Sequence, residues 1–392
     1  MTGPRWAWAT SGAGTTRPRT ESIRRRQSDQ RRIVANPVLL TPNGTLNRMV
    51  DDRYFASSAY GHRDRDGGPA NRPAGWWNPV EEEWTIQVPS RSGSTAQVDL
   101  PDLLRRAQGC PFCPPAPEVP VAGYDVLLIP SKYPLVESLP DGDGLISGCH
   151  DVFLYTDDHA GRLVDQSRDR VAGLLAALAA RTEQMLADPL VRAVFGFECQ
   201  GDHFGPTVAH PHGQLIGFPF VPRRLSVAGP DCLMCTIRHE APHLVVHGGQ
   251  SSVVAVPPYA RFPFEMVVAP TRHVPTLSQL AEAELTELAG SVLAALRACL
   301  DDEAAMPQHL LTVMQAAKGH QERHHLRFEL LPLHRPGGGI KRPGGVEIGA
   351  GVYLNSLPPS QAATLLRERL RERSPREFRS SAPSGPVPTC SG

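Results

Sequence analysis

The chain is 392 residues long, with 41% apolar and 20% charged residues and 40 basic against 40 acidic side chains. At roughly 100–200 residues per domain, this length predicts two or three domains with a sizeable core, which excludes wholesale disorder. Zero formal charge argues against a general nucleic-acid binder. The longest wholly apolar run, residues 171–180, is far shorter than the about 18 that span a bilayer. No apolar segment follows the first arginines, so a secretory signal is not expected and a cytoplasmic location is.

In chain order, residues 1–33 hold eight arginines against Glu21 and Asp29 and show no apolar periodicity. Residues 1–36 are therefore expected to be a disordered basic extension, and the Ser/Pro/Arg-rich residues 374–392 a second disordered tail. Short β-rich runs are expected at 84–88, 126–129, 152–155, 191–197, 214–220, 253–256, 266–269, 310–314 and 328–331. Helical periodicity marks about 165–187, with Val171, Leu174, Leu175 and Leu178 on one face. It recurs at about 277–300 and in the segment from Pro358-Pro359 to about Arg373. Strands with a few interspersed helices predict an α+β fold with a mostly antiparallel sheet.

The cysteines and histidines reveal an internal repeat. The first half has Cys110-Pro-Phe-Cys113, then His159, then His210, at gaps of 46 and 51 residues. The second has Cys232-Leu-Met-Cys235, then His273, then His325, at gaps of 38 and 52. The local text aligns residues 151–159 with 265–273 and 194–201 with 312–319. Two units are expected, 37–230 and 231–373. Each offers two thiolates and two imidazoles, the donor set of tetrahedral zinc. Cys149, Cys299 and Cys390 have no such partners.

The densest chemistry lies at His210-Pro-His212-Gly-Gln214. Polar side chains at i, i+2 and i+4 share a face if the segment is a strand, and Gly205 upstream lets backbone N–H groups approach a phosphate. Metal-bound imidazole, free imidazole and carboxamide in a row suit phosphate chemistry. In the second half His325-Leu-Arg327-Phe-Glu329 stands at the matching place. That half therefore keeps a metal ligand and lacks the nucleophile, and Arg327 is expected to pair with Glu329 or a neighbour rather than to face the first half's phosphates.

These motifs resemble the galactose-1-phosphate uridylyltransferase family, the transferase branch of the histidine-triad superfamily, over roughly residues 76–372. The family's opening Pro-Leu-Thr-Gly-Glu-Trp is echoed by residues 78–84 and its Pro-x-Arg by Pro89-Ser-Arg91. Pro130-Ser131-Lys132-Tyr-Pro134 resembles the nucleotide-pocket segment. His150-Asp-Val and Asp158-His159 fall where the family has His-Glu-Val and a zinc ligand. Gly351-Val-Tyr353-Leu-Asn355 resembles a C-terminal sugar-binding segment.

The resemblance implies two histidine-triad-like units with flanking helices. It implies zinc on Cys110, Cys113, His159 and His210, and a second zinc on Cys232, Cys235, His273 and His325. It implies a ping-pong reaction in which His212 takes UMP from UDP-glucose and passes it to galactose 1-phosphate. Gln214 then assists, and Arg91, Ser131, Lys132, Cys199, Gly205 and Thr207 contact nucleotide or phosphate. Tyr353 and Asn355 would contact sugar, in a homodimer that needs neither nucleic acid nor membrane. The sequence departs from the family at Cys199, where asparagine is usual, and at Ser94, where a second arginine is usual. The same motif also serves relatives that use ADP-glucose or dinucleoside polyphosphates, and a zinc-stabilised binding protein without catalysis is the remaining alternative.

Overall fold

Runs of consecutive apolar residues build the centre of the molecule, because its central strands bury both of their faces. The computed structural model describes residues 39–40, 46–47, 74–78, 83–87, 109–136, 148–201, 208–226, 232–300 and 308–373. All belong to one compact unit, Asn36–Gly392. The expected disordered ends, and Arg91, Gly205 and Thr207, lie outside these residues.

The strands are β1 (Leu39–Leu40), β2 (Leu46–Asn47), β3 (Ala74–Asn78), β4 (Glu83–Gln87), β5 (Val126–Pro130), β6 (Cys149–Leu154), β7 (Ala193–Gln200), β8 (Gly213–Phe218), β9 (Val245–Gly248), β10 (Ser252–Ala255), β11 (Met266–Pro270), β12 (His309–Met314) and β13 (Arg327–Pro332). Eleven form one sheet in the order β2-β1-β5-β6-β8-β7-β12-β13-β11-β10-β9, and β3 and β4 pair separately. Every pairing is antiparallel. The first half contributes β5-β6-β8-β7, and the second half mirrors it as β12-β13-β11-β10. The halves meet where β7 pairs with β12.

The helices are α1 (Arg168–Ala187), α2 (Arg223–Ser226), α3 (Leu233–Glu240), α4 (Glu282–Cys299), α5 (Gly345–Ala350) and α6 (Pro359–Arg373). α1 starts where the Ser167 side chain accepts a hydrogen bond from the Arg170 N–H, at 3.1 Å, satisfying one of the open donors of a first turn. At α4 the Glu284 carboxylate does the same for the Ala281 N–H. The expected helix starts at 165 and 277 are separate 3₁₀ turns, Leu163–Asp165 and Leu277–Gln279. Both long helices lie on one face of the sheet. Leu174, Leu178, Leu288 and Val292 pack there against Leu128, Phe153, Leu215, Val254, Val268 and Phe328. The other face carries the two cysteine clips. One packs Cys110 and Phe112 on Leu127, Ile129 and Leu154. The other packs Met234 and Ile237 on Val253, Ala255, Val267 and Ala269.

All nine expected strands are present, with ends shifted by at most three residues. β1, β2, β3, β9, α2, α3 and α5 lacked a signal long enough to stand out. The ladders also correct the repeat's register. Gln214 pairs with Phe197 and Val152, and Glu329 pairs with Thr312 and Val267. Phe197 thus corresponds to Thr312, where the text match set Val194, and Asp151 corresponds to Met266, where it set Glu265. Uniformly apolar strands leave such slips undetected until pairing fixes the faces. Among the described residues no helix is long and apolar enough to cross a membrane.

Candidate active site and metal centres

The first clip is a turn: the Cys113 N–H donates to the Cys110 carbonyl, 3.3 Å away. His159 arrives from the loop after β6 and His210 from the loop before β8. One donor atom of each of Cys110, Cys113, His159 and His210 lies within 4.8 Å of the other three. Nδ1 of both histidines stands 3.3 Å from Cys113 Sγ. Nε2 of His210 lies 2.9 Å from the Thr156 carbonyl. A carbonyl only accepts, so Nε2 carries the proton and Nδ1 turns its lone pair toward the sulfurs. Burial, and then the neighbouring Cys110, push the Cys113 thiol up to about 12. A cation held among these donors reverses that preference. The donors present therefore fit a tetrahedral metal.

The second group, Cys232, Cys235, His273 and His325, repeats the arrangement. Here α3 starts inside the clip. Cys232 Sγ is 3.1 Å from His325 Nδ1, and His325 Nε2 donates to the Pro270 carbonyl at 3.0 Å. Thr156 and Pro270 each precede the third ligand of their half by three residues, so the orienting carbonyl is itself part of the repeat.

His212 is two residues beyond His210. Both histidines precede β8, which begins at Gly213, so of the three polar side chains only Gln214 sits on the strand. This corrects the expectation of a single strand face. His212 Nδ1 donates to the His210 carbonyl at 2.8 Å, which leaves Nε2 with a free lone pair. Burial lowers the His212 pKa, outweighing the His210 hydrogen bond and the Glu198 charge that raise it. The ring is thus neutral near pH 7. Phe112 of the clip packs on it, with centroids 5.4 Å apart. Gly213 has to be glycine, because a Cβ there would run into the Phe153 ring. Gln214 Oε1 lies 2.9 Å from Nε2 of His150, a partner that the sequence did not assign.

The phosphate-binding candidates gather less completely. Ser131 and Lys132 lie on the loop after β5, where the Ser131 N–H donates to the His150 carbonyl at 2.8 Å. Lys132 is half-exposed, 4.0 Å from Glu118. Cys199 follows Phe197 on β7, on the face shared with Gln214. Burial, and then Glu198, push its thiol up to about 12, so it stays neutral. Tyr353 and Asn355 have their contacts in the second half. The Tyr353 ring stands 6.1 Å from that of Phe262, and the Asn355 amide donates to the Ala260 carbonyl at 2.9 Å.

At the corresponding second-half position, Arg327 pairs with Glu329 at 3.0 Å, as the sequence suggested. Arg261 and Arg224 converge on the same buried carboxylate. Burial pushes the Glu329 pKa up, but the three guanidinium groups prevail and hold it at about 2. Glu198, on β7, is buried between the Tyr155 hydroxyl at 3.0 Å and His309 at 3.1 Å. This network spans the seam between halves, and no sequence motif announced it.

No protein-family model matches the chain. Curated relatives do. A galactose-1-phosphate uridylyltransferase of Thermotoga maritima is 28% identical over 317 residues, 74% of this chain and 97% of that relative. One of Streptomyces lividans is 30% identical over 292 residues, 67% of this chain and 79% of that relative. An ADP-glucose phosphorylase of Arabidopsis thaliana is 23% identical over 328 residues, 74% of this chain and 91% of that relative. A solved uridylyltransferase structure superimposes with a TM-score of 0.67 at 25% identity, covering 77% of this chain and 99% of that one. With the histidine and cysteine geometry above, these likenesses show that the chain belongs to the galactose-1-phosphate uridylyltransferase family.

Proposed function

We propose that the protein transfers UMP from UDP-glucose to galactose 1-phosphate through a covalent uridylyl-histidine. The observation that carries this reading is His212: its Nδ1–H is tied to a carbonyl and its Nε2 is free, on a ring that burial keeps neutral. Nε2 attacks the α-phosphorus, and the bond to glucose 1-phosphate breaks. A phosphate oxygen of galactose 1-phosphate then attacks the same phosphorus and frees Nε2. The sugar phosphate that leaves has a second pKa of about 6, so it departs without a strong general acid. The Gln214 amide donates to a non-bridging phosphoryl oxygen as charge gathers there. It carries no proton for water, which favours transfer over hydrolysis. Ser131, Lys132 and Cys199, with Arg91, Gly205 and Thr207, are proposed to hold the nucleotide and its phosphates.

Both four-donor groups are assigned to zinc, held by Cys110, Cys113, His159 and His210 and by Cys232, Cys235, His273 and His325. Zinc held there would supply a fixed anchor, and in the first group its ligand His210 sits two residues from the proposed nucleophile. Residues 37–230 then form the unit with the nucleophile and 231–373 a unit without one. We also propose a homodimer, supported by the exposed apolar residues Val346, Ile348, Val352, Tyr353 and Leu354 on α5 and the loop that follows. Tyr353 and Asn355 would meet sugar from that loop. A cytoplasmic location accords with seven described cysteines that form no disulfide.

Isotope exchange tests the reaction. Labelled glucose 1-phosphate should enter UDP-glucose in the absence of galactose 1-phosphate, because the first half-reaction is complete in itself. Exchange that needs the second sugar phosphate contradicts a covalent intermediate. Exchange with ADP-glucose alone would favour the activity named for the Arabidopsis relative.

A further inference from the structure

We propose that His150 is a positioning residue that fixes which end of the Gln214 carboxamide faces the reacting phosphoryl group. The inference rests on the uridylyl-transfer reading above. His150 is buried on β6 between two partners. The backbone N–H of Leu135 donates to Nδ1 at 3.0 Å, and Nε2 lies 2.9 Å from Gln214 Oε1. A backbone N–H only donates, so Nδ1 must present its lone pair. The one proton of the neutral ring is then on Nε2, and the atom facing it must be an acceptor. That logic identifies the carboxamide oxygen without relying on how an amide is drawn. The NH2 end of Gln214 is left pointing away from His150, free to donate to substrate. A flipped amide would set NH2 against the imidazole N–H, donor against donor.

The second half provides an internal control. Ile129 pairs with Val152, and Ala255 pairs with Val267. Counting along each chain from these pairs, Leu135 corresponds to Arg261 and His150 to Glu265. The first link is kept: the Arg261 N–H donates to the Glu265 carboxylate at 2.5 Å. The second link is replaced. Glu265 and Glu329 are both acceptors, and the Arg261 guanidinium bridges them at 2.6 and 2.9 Å. The half with the nucleophile therefore has a donor–acceptor pair of His150 and Gln214. The half with Arg327 in its place has changed both members together.

The test is the single-turnover rate at which α-phosphate-labelled UDP-glucose marks His212, measured across donor concentrations. His150→Asn keeps an acceptor for Leu135 but does not reach Gln214. His150→Gln places an N–H donor near the Nε2 position. His150→Asn should slow labelling on the order of 10- to 100-fold at saturating donor, with its apparent Kd changed by less than about 3-fold. His150→Gln should recover most of the rate. In a Gln214→Ala background, His150→Asn should add nothing further. If His150→Asn labels at the wild-type rate, if its effect is undiminished in Gln214→Ala, or if folded His150→Gln shows no recovery, the inference falls alone. A wild type that takes no label from UDP-glucose overturns the transfer reading, and this inference with it.

Discussion

The nucleophile role proposed for His212 rests on a backbone contact from its neighbour. The His210 carbonyl accepts a hydrogen bond from Nδ1–H and so leaves the Nε2 lone pair free for attack. Two substitutions test the residues beside it. Gln214→Ala removes the donor proposed to stabilise charge on phosphorus, so kcat should fall on the order of 100-fold while metal content is unchanged. Metal analysis beside steady-state kinetics checks this; loss of metal would mean that Gln214 is structural. Gly213→Ala forces a Cβ against Phe153. It should lower kcat on the order of 100-fold by shifting His212 against its target, and single-turnover labelling reads that directly. The residue types and spacing of this motif were legible in the sequence. The tautomers were not, because they are set by the carbonyls of Thr156, Pro270 and His210, and every residue has a carbonyl. His150 was visible only as a family echo, since its meaning depends on a loop N–H fifteen residues away.

At the scale of elements, the two clips are equivalent in donors and unequal in neighbours. The first adjoins His212. The second adjoins a carboxylate held by three guanidinium groups. Cys232→Ser should lower bound metal from two ions per chain to one and leave the UDP-glucose labelling of His212 in place. Unchanged stoichiometry would remove the second centre. Glu329 should matter to stability in a pH-dependent way. Its folded pKa, about 2, lies below its ordinary value of 4.5. The stabilisation it provides is therefore full above about pH 4.5 and lost as pH falls toward 2. Glu329→Gln should cost on the order of 3 kcal/mol at pH 7, because it leaves three guanidinium groups without their carboxylate. The gap between variant and wild type should narrow below about pH 4.5 and be nearly closed at about pH 2; urea midpoints at pH 7 and at about pH 2 measure it. Strand positions could be read from apolar runs, whereas registers could not. Val, Leu and Ile occupy both faces of a sheet buried on both sides, so alternation is lost.

For the whole molecule, the mirrored order of strands makes one continuous sheet out of two similar units. The joint between β7 and β12 is reinforced by Glu198 between Tyr155 and His309 and by Gln315 donating to Thr182 at 3.0 Å. The repeat itself was readable from eight ligand positions, but this seam was not, because its members share no motif. Through this seam the second half completes the sheet that carries β7 and β8. Ile348 is 78% exposed on α5, and Ile348→Asp should shift a dimer toward monomer in sedimentation; a protein already monomeric would contradict the proposed assembly. Incubation with α-phosphate-labelled UDP-glucose, followed by denaturation, should leave acid-labile label on the wild-type chain and none on His212→Ala, and galactose 1-phosphate should chase that label into UDP-galactose. An unlabelled wild type, or equal label on His212→Ala, would contradict the account.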